Sequence, residues 1–177
     1  MSGAELGGVP GRRVFFALWP DDATRSALVR ATKRAVQICG GRPIAKERLH
    51  ITVAFLGAVS AERLESARGA APVAVGAFDL TLDLLGVWPQ SRVLWIAGRD
   101  VPPELNALES ELWSRLAERG FEREPRIYRP HLTLARRARP IEEDVEPVIW
   151  RVTDLALVES LPDGRNVHYE VLERWPL

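Results

Sequence analysis

Two histidines in this chain each stand two residues ahead of a threonine, in runs that repeat one another. Arg48-Leu49-His50-Ile51-Thr52-Val53-Ala54 recurs as Arg129-Pro130-His131-Leu132-Thr133-Leu134-Ala135. Both follow the pattern Arg, any residue, His, aliphatic, Thr, aliphatic, Ala. Imidazole, with an unperturbed pKa of about 6.5, gives or takes a proton near neutral pH. Two of them suit an in-line displacement at phosphorus. There the attacking and leaving oxygens sit on opposite sides, so one group must accept a proton while another supplies one. Threonine hydroxyls can donate hydrogen bonds to the non-bridging oxygens, and arginine can neutralise their charge. This scheme requires neither a metal nor any other cofactor. The competing use of histidine is zinc binding, but there is no HExxH motif, and a single cysteine, Cys39, excludes a CxxC site. Metal dependence would have to come from scattered carboxylates.

A lone histidine in a strand is more often a hydrogen-bonded structural residue than a catalyst, and threonine favours strands in its own right. The duplication weighs against that ordinary role. Burying a histidine and a threonine requires partners for their polar groups, and structure alone gives no reason to do so twice. Side chains alternate along a strand, so His50, Thr52 and Ala54 are expected on one face and Ile51, Val53 and Phe55 on the other. The second copy separates His131 and Thr133 from Leu132 and Leu134 in the same way. Two such strands with their polar faces opposed across a cleft would bring together two imidazoles, two hydroxyls and nearby guanidinium groups.

The elements that must position these strands alternate along the chain without a long linker. Residues 13–19 (RVFFALW) read as a strand ended by Pro20, and Asp21 or Asp22 offers an N-cap for a helix through about Val36. The first motif strand is expected to stop at Gly57. Ser60 can cap a second helix that ends near Pro72. Phe78, Leu80, Leu82 and Leu84 alternate with polar residues as one half-buried strand, joined through WPQS to a strand at 92–97 as a hairpin. Pro102 and Pro103 open a third helix with Leu105, Leu108, Leu112 and Leu116 on one face and Gly120 past its end. Strands come next from Tyr128 to Ala135, from Trp150 to Glu159 and, after the turn LPDGRN, from Val167 to Trp175. Recurring hairpins favour an α+β architecture with mostly antiparallel sheet over a doubly wound parallel one.

Length and composition bound the function classes. At 177 residues the chain fits one domain, or two small lobes sharing a cleft. With 24 basic and 24 acidic residues the formal net charge is zero, so no global field draws the protein to nucleic acid or membrane. Any polyanion contact must be local. The lone cysteine fits a reducing compartment. The opening MSGAELGGVPGRR has no apolar signal core, and no apolar run is long enough to span a bilayer, so a soluble cytoplasmic protein is expected.

The paired motifs His50-Ile51-Thr52-Val53 and His131-Leu132-Thr133-Leu134 resemble those of the 2H phosphoesterase superfamily. With HITVAFLG, YRPHLTLARR and the closing YEVLERWPL, they resemble in particular its RNA 2′,3′-cyclic phosphodiesterases, the LigT-type 2′-5′ RNA ligases. One such motif alone is weak, whereas two with these flanks are specific, and the likeness runs from RVFFALWP to the last residue. It implies a bilobal, duplicated α+β fold: one domain over residues 1–177, with two pseudo-symmetric lobes, antiparallel sheets and flanking helices around a central cleft. It also implies metal-independent opening of a 2′,3′-cyclic phosphate at an RNA 3′ end to a 2′-phosphate. His50 would then be the proton donor to the leaving ribose oxygen and His131 the acceptor that activates water, with Thr52 and Thr133 as phosphate-oxygen donors. Donor and acceptor are distinguished only by the resemblance, since the two motifs are near-equivalent.

By the same resemblance, Arg136, five residues after His131, stands where the family often has a phosphate-contacting arginine, and Phe55, five after His50, where an aromatic can stack on the base. Strict alternation puts both on the face opposite their histidines, so each needs its strand to end or twist first. Arg129, Arg136, Arg137 and Arg139 form a local basic cluster suited to an RNA backbone, although the last two fit a solvated strand end equally well. Tyr128 and the tryptophans could stack on bases, but Trp95, Trp113 and Trp150 fall in periodic elements and read as core. His168 reads as structural or surface.

No K-x-D-G lysine context and no G-x-x-x-x-G-K-[ST] loop occurs, so any 2′-5′ ligation would be the reversal of a cleavage, without ATP. Two alternatives remain. One is action on a small cyclic nucleotide or an ADP-ribose cyclic phosphate, and the other is binding of RNA ends without turnover. A cleft enzyme of this size is expected to be a monomer.

Overall fold

The computed structural model describes residues 11–164 and 166–177. The opening MSGAELGGVPGRR, read above for a signal core, therefore lies largely outside the described residues, as does Arg165 of the LPDGRN turn. In chain order the elements are β1 (Arg12–Leu18), α1 (Asp22–Ile38), β2 (Arg42–Pro43), a 3-10 turn (Lys46–Arg48), β3 (Ile51–Val59), α2 (Ala61–Arg68), β4 (Phe78–Leu82) and β5 (Leu84–Trp88). They continue with β6 (Val93–Ala97), α3 (Pro103–Ala117), β7 (Leu132–Arg136), β8 (Val148–Val152), β9 (Asp154–Asp163) and β10 (Asn166–Pro176). The fold is α+β, and every strand pair is antiparallel.

Local chemistry sets the helix ends. The Asp21 carboxylate accepts from the Thr24 amide at 2.7 Å to cap α1, and the Ser60 hydroxyl accepts from the Arg63 amide at 3.2 Å to cap α2. Pro103 opens α3, where a missing N–H costs nothing. Leu105, Leu108, Leu112 and Leu116 are fully buried on its inner face, as their spacing requires.

The larger sheet runs β10-β9-β1-β3-β7-β6-β5, with β2 also paired to β7, and β4 and β8 form a second, two-stranded sheet. The motif strands are neighbours at the centre of the larger sheet. Their only shared pair in the described structure is Ile51 with Leu132, the residues directly after the two histidines.

Four expectations are corrected. The run from Phe78 to Leu84 is two strands in different sheets, broken at Asp83, whose carboxylate accepts from the Arg99 amide at 2.8 Å. The run from Trp150 to Glu159 is likewise β8 and β9, broken at Thr153, so at both places the chain crosses from the small sheet to the large one. Period-2 hydrophobicity is the same on both sides of each break, which hid the crossing. Residues 128–131 are not strand, because Pro130 has no N–H to give a ladder, and β7 starts only at Leu132. Gly57 does not end β3. With φ of +72° it takes a backbone that other residues rarely adopt, absorbs a bulge, and lets the strand continue to Val59.

Candidate active site

Each histidine precedes its strand and is fixed by a backbone carbonyl within its own motif. His50 Nδ1 bonds the Arg48 carbonyl oxygen at 2.7 Å, and His131 Nδ1 bonds the Arg129 carbonyl oxygen at 2.8 Å. A carbonyl oxygen can only accept, so Nδ1 carries the hydrogen on both rings and Nε2 is the nitrogen left for chemistry. The repeated arginine therefore serves each site first through its main chain.

His50 and Thr52 of the first motif meet His131 and Thr133 of the second in one cleft of about 460 Å³. Phe55, Arg136, Arg13 and Arg48 complete its polar and aromatic wall. The placement of Phe55 and Arg136 corrects the expectation from strict alternation. On β3, Ala17 faces Thr52 while Phe16 faces Ala54, leaving Val53 as an extra residue. On β7, Trp95 faces Thr133 while Leu94 faces Ala135, leaving Leu134 as an extra residue. Each motif strand thus carries a bulge immediately after its threonine, which turns the later side chains to the other face. The outcome is the same in both copies. Thr is half-buried, the next two residues are buried, and the third, Phe55 or Arg136, is exposed on the cleft. Arg129 goes elsewhere: its side chain lines an adjoining pocket on the His131 side.

The two imidazoles differ in their surroundings. His50 sits among Trp19, stacked at 5.3 Å with an interplanar angle of 19°, Phe15 at 5.0 Å and Tyr169 at 5.2 Å. Burial in this aromatic cage disfavours the charged ring and holds its pKa down to about 4, against the Arg48 carbonyl bond, which favours the imidazolium. His131 meets Trp88 edge-on at 4.4 Å and is also held below the ordinary histidine value, mainly by burial. Behind Trp88 stands Trp95 at 5.6 Å, lying against Gly86, where a Cβ would come within 2.2 Å of the indole.

Tyr128 ties the motifs together. Its buried hydroxyl donates to the Thr52 carbonyl oxygen at 3.3 Å, and the same burial raises its pKa. The Arg13 guanidinium lies over the Phe55 ring at 5.2 Å. Trp113 and Trp150 are core, as expected, whereas Trp95 is only half-buried, and His168 is exposed on β10. Sequence reasoning did not find Arg13, Phe15 or Tyr169, and reached Trp19 and Trp88 only as tryptophans that could stack on bases, not as partners of the histidines. They come from three distant segments, and no spacing between them announces the cage. Among the described residues no group of three or more His, Cys, Asp or Glu is placed to hold a metal ion, and no helix is long and apolar enough to cross a membrane.

Duplicated His and Thr at the start of two neighbouring strands thus share one cleft. The family model of the 2′-5′ RNA ligase superfamily matches residues 20–164, and the chain belongs to that superfamily. A protein of Escherichia coli strain K12 named RNA 2′,3′-cyclic phosphodiesterase is 36% identical, over 94% of this chain and 97% of its own length. A Thermus thermophilus protein of the same name is 31% identical over 93% of this chain and 90% of its own. The crystal structure of E. coli LigT complexed with 3′-AMP superimposes with a TM-score of 0.84 at 32% identity, covering 96% of this chain and 99% of that one.

Proposed function

We propose that this protein is an RNA 2′,3′-cyclic phosphodiesterase that hydrolyses a terminal 2′,3′-cyclic phosphate to a 2′-phosphate by two-histidine acid/base catalysis, without a metal. His131 Nε2 takes a proton from water as its oxygen attacks phosphorus. The P–O3′ bond breaks on the opposite side, and His50 Nε2 delivers a proton to O3′. The Thr52 and Thr133 hydroxyls donate to the non-bridging oxygens, Arg136 balances their charge, and Phe55 stacks on the terminal base.

Burial holds both rings below the ordinary histidine value, which favours the neutral imidazole that the acceptor needs. A phosphodiester anion between them favours the imidazolium and lifts both pKa values, so the donor's proton is stabilised by the substrate itself. The names of the relatives support the substrate class. The observation that carries the mechanism is the matched pair of Nδ1-to-carbonyl bonds, which leaves two Nε2 atoms for a single cleft.

The same reading makes the chain one domain of two related halves. β1-α1-β3 and β6-α3-β7 are equivalent units, and the order β9-β1-β3 mirrors β5-β6-β7 across the Ile51–Leu132 pair. Both histidines come from one chain, so a monomer holds a complete site.

The test is product analysis. An oligonucleotide ending in a 2′,3′-cyclic phosphate should be converted to the 2′-phosphate isomer alone. Formation of the 3′-phosphate would mean that P–O2′ breaks instead and would overturn the assignment of sides.

A further inference from the structure

Three arginines, Arg13, Arg48 and Arg136, line the catalytic cleft, and among the described residues no aspartate or glutamate lines it with them. A cyclic phosphate brings one negative charge, which Arg136 answers. We propose that Arg13 and Arg48 form a second phosphate subsite, which takes the phosphodiester carried on O5′ of the ribose whose cyclic phosphate is opened. The cleft then selects a strand end over a lone cyclic nucleoside phosphate. The proposal rests on the two-histidine reading, in which His50 addresses O3′ and the ribose therefore lies on the His50 side.

Sheet order separates the cations. Along β10-β9-β1-β3-β7, the strand of Arg136 lies on one side of β3, and the strands of Arg13, Ser160 and Tyr169 lie on the other. The strands of Arg13 and Arg136 are two spacings apart, about 10 Å. Register gathers the remaining groups. Arg13 pairs with Ser160 and Ser160 with Tyr169, which sets a guanidinium and two hydroxyls in one row of the cleft wall. The row starts beside the acid, because the Tyr169 ring meets His50 at 5.2 Å.

Arg48 closes the row from the other strand end. Its Nη1 donates to the Val167 carbonyl oxygen at 2.8 Å, two residues before Tyr169 on β10. Its Nε is buried with no hydrogen-bond partner among the described residues, a cost that an anionic ligand removes. Arg12 shows the contrast with Arg13. Alternation sends Arg12 to the opposite face of β1, where its Nε donates to Glu159 at 2.8 Å. Arg13 meets no acidic group in the cleft and lies over the Phe55 ring at 5.2 Å, beside the terminal base that this ring stacks. Unpaired charge of one sign on a concave wall draws a ligand of the other sign, and guanidinium suits phosphate.

The test compares kcat/KM for three substrates: a nucleoside 2′,3′-cyclic phosphate with a free 5′-hydroxyl, the same compound with a 5′-phosphate, and a dinucleotide ending in the cyclic phosphate. The wild type should favour the last two by about tenfold, equivalent to about 1.4 kcal/mol. Arg13→Gln and Arg48→Gln should each lower that preference by about threefold on the same scale, and the double variant should abolish it. Arg13 is exposed, so its substitution spares the fold. The preference is a ratio, so a loss common to all three substrates, through Phe55 or His50, cancels from it. Equal hydrolysis of all three by the wild type overturns the subsite and leaves the phosphodiesterase reading standing. A preference unchanged in both single variants does the same. A gain from the 5′-phosphate but not from the dinucleotide overturns the strand end as occupant, and a gain from the dinucleotide alone overturns the phosphate as the group recognised. Absence of hydrolysis of every substrate overturns both readings.

Discussion

His50 and His131 make the same hydrogen bond: each Nδ1 donates to the carbonyl oxygen two residues earlier, at 2.7 and 2.8 Å. The bond fixes the tautomer and the ring plane together, so two heptapeptides that share their Arg, His, Thr and Ala each leave Nε2 as the free ring nitrogen. Their environments then separate them. A three-ring cage surrounds His50, whereas one indole flanks His131.

The cage makes stability depend on pH. The folded-state pKa of His50 is depressed from 6.5 to about 4, so between those values the unfolded chain binds a proton that the folded chain does not. Stability is therefore present above about pH 6.5 and is lost as pH falls towards 4, by roughly 3 kcal/mol at most from this ring. His131 contributes with the same sign. Urea titrations of wild type and His50→Gln at pH 7, 6 and 5 should show the wild type losing stability more steeply. Parallel curves would mean that His50 is not held neutral.

Gly86 is a packing requirement one layer behind His131. A Cβ there would sit 2.2 Å from Trp95, which backs Trp88, which in turn contacts His131. Gly86→Ala should cost about 1 to 3 kcal/mol, as overpacking does. It should also lower kcat more than it raises KM, because it displaces the base and not the binding wall. Unchanged thermal stability and kcat would show that the indoles give way freely.

Arg136 reaches the cleft only because Leu134 is the extra residue of a bulge. A charge-assisted contact to phosphate is worth about 1.5 to 3 kcal/mol, so Arg136→Ala should lower kcat/KM by about 10- to 150-fold, with partial recovery in Arg136→Lys. The loss should shrink at high salt. Kinetics indistinguishable from wild type would place the guanidinium away from the phosphate.

Much of this was legible in the sequence. The repeated Arg-x-His-aliphatic-Thr-aliphatic-Ala pattern singled out the four motif residues that line one cleft, because two apolar strands have little structural reason to carry the same polar pair. The α3 leucines were legible because one period covers the whole helix. The bulges at Val53 and Leu134 were not, since a bulge is set by the partner strand's register, which local alternation does not encode. Phe55 and Arg136 could be matched by position but not placed on the correct face. Trp19, Trp88 and Tyr169 were hidden as partners of the histidines for a related reason: each is an ordinary aromatic in or beside a strand until β1, β5 and β10 join one sheet around the histidines.

The most direct test of the central claim is the rate of cyclic-phosphate hydrolysis by wild type, His50→Ala and His131→Ala, measured in EDTA on proteins shown to be folded. Each substitution should lower kcat by about 10²- to 10⁴-fold, the range for loss of a positioned acid or base, and EDTA should leave the wild type unchanged. Full activity in either variant, or loss of wild-type activity in EDTA, would contradict two-histidine, metal-independent catalysis.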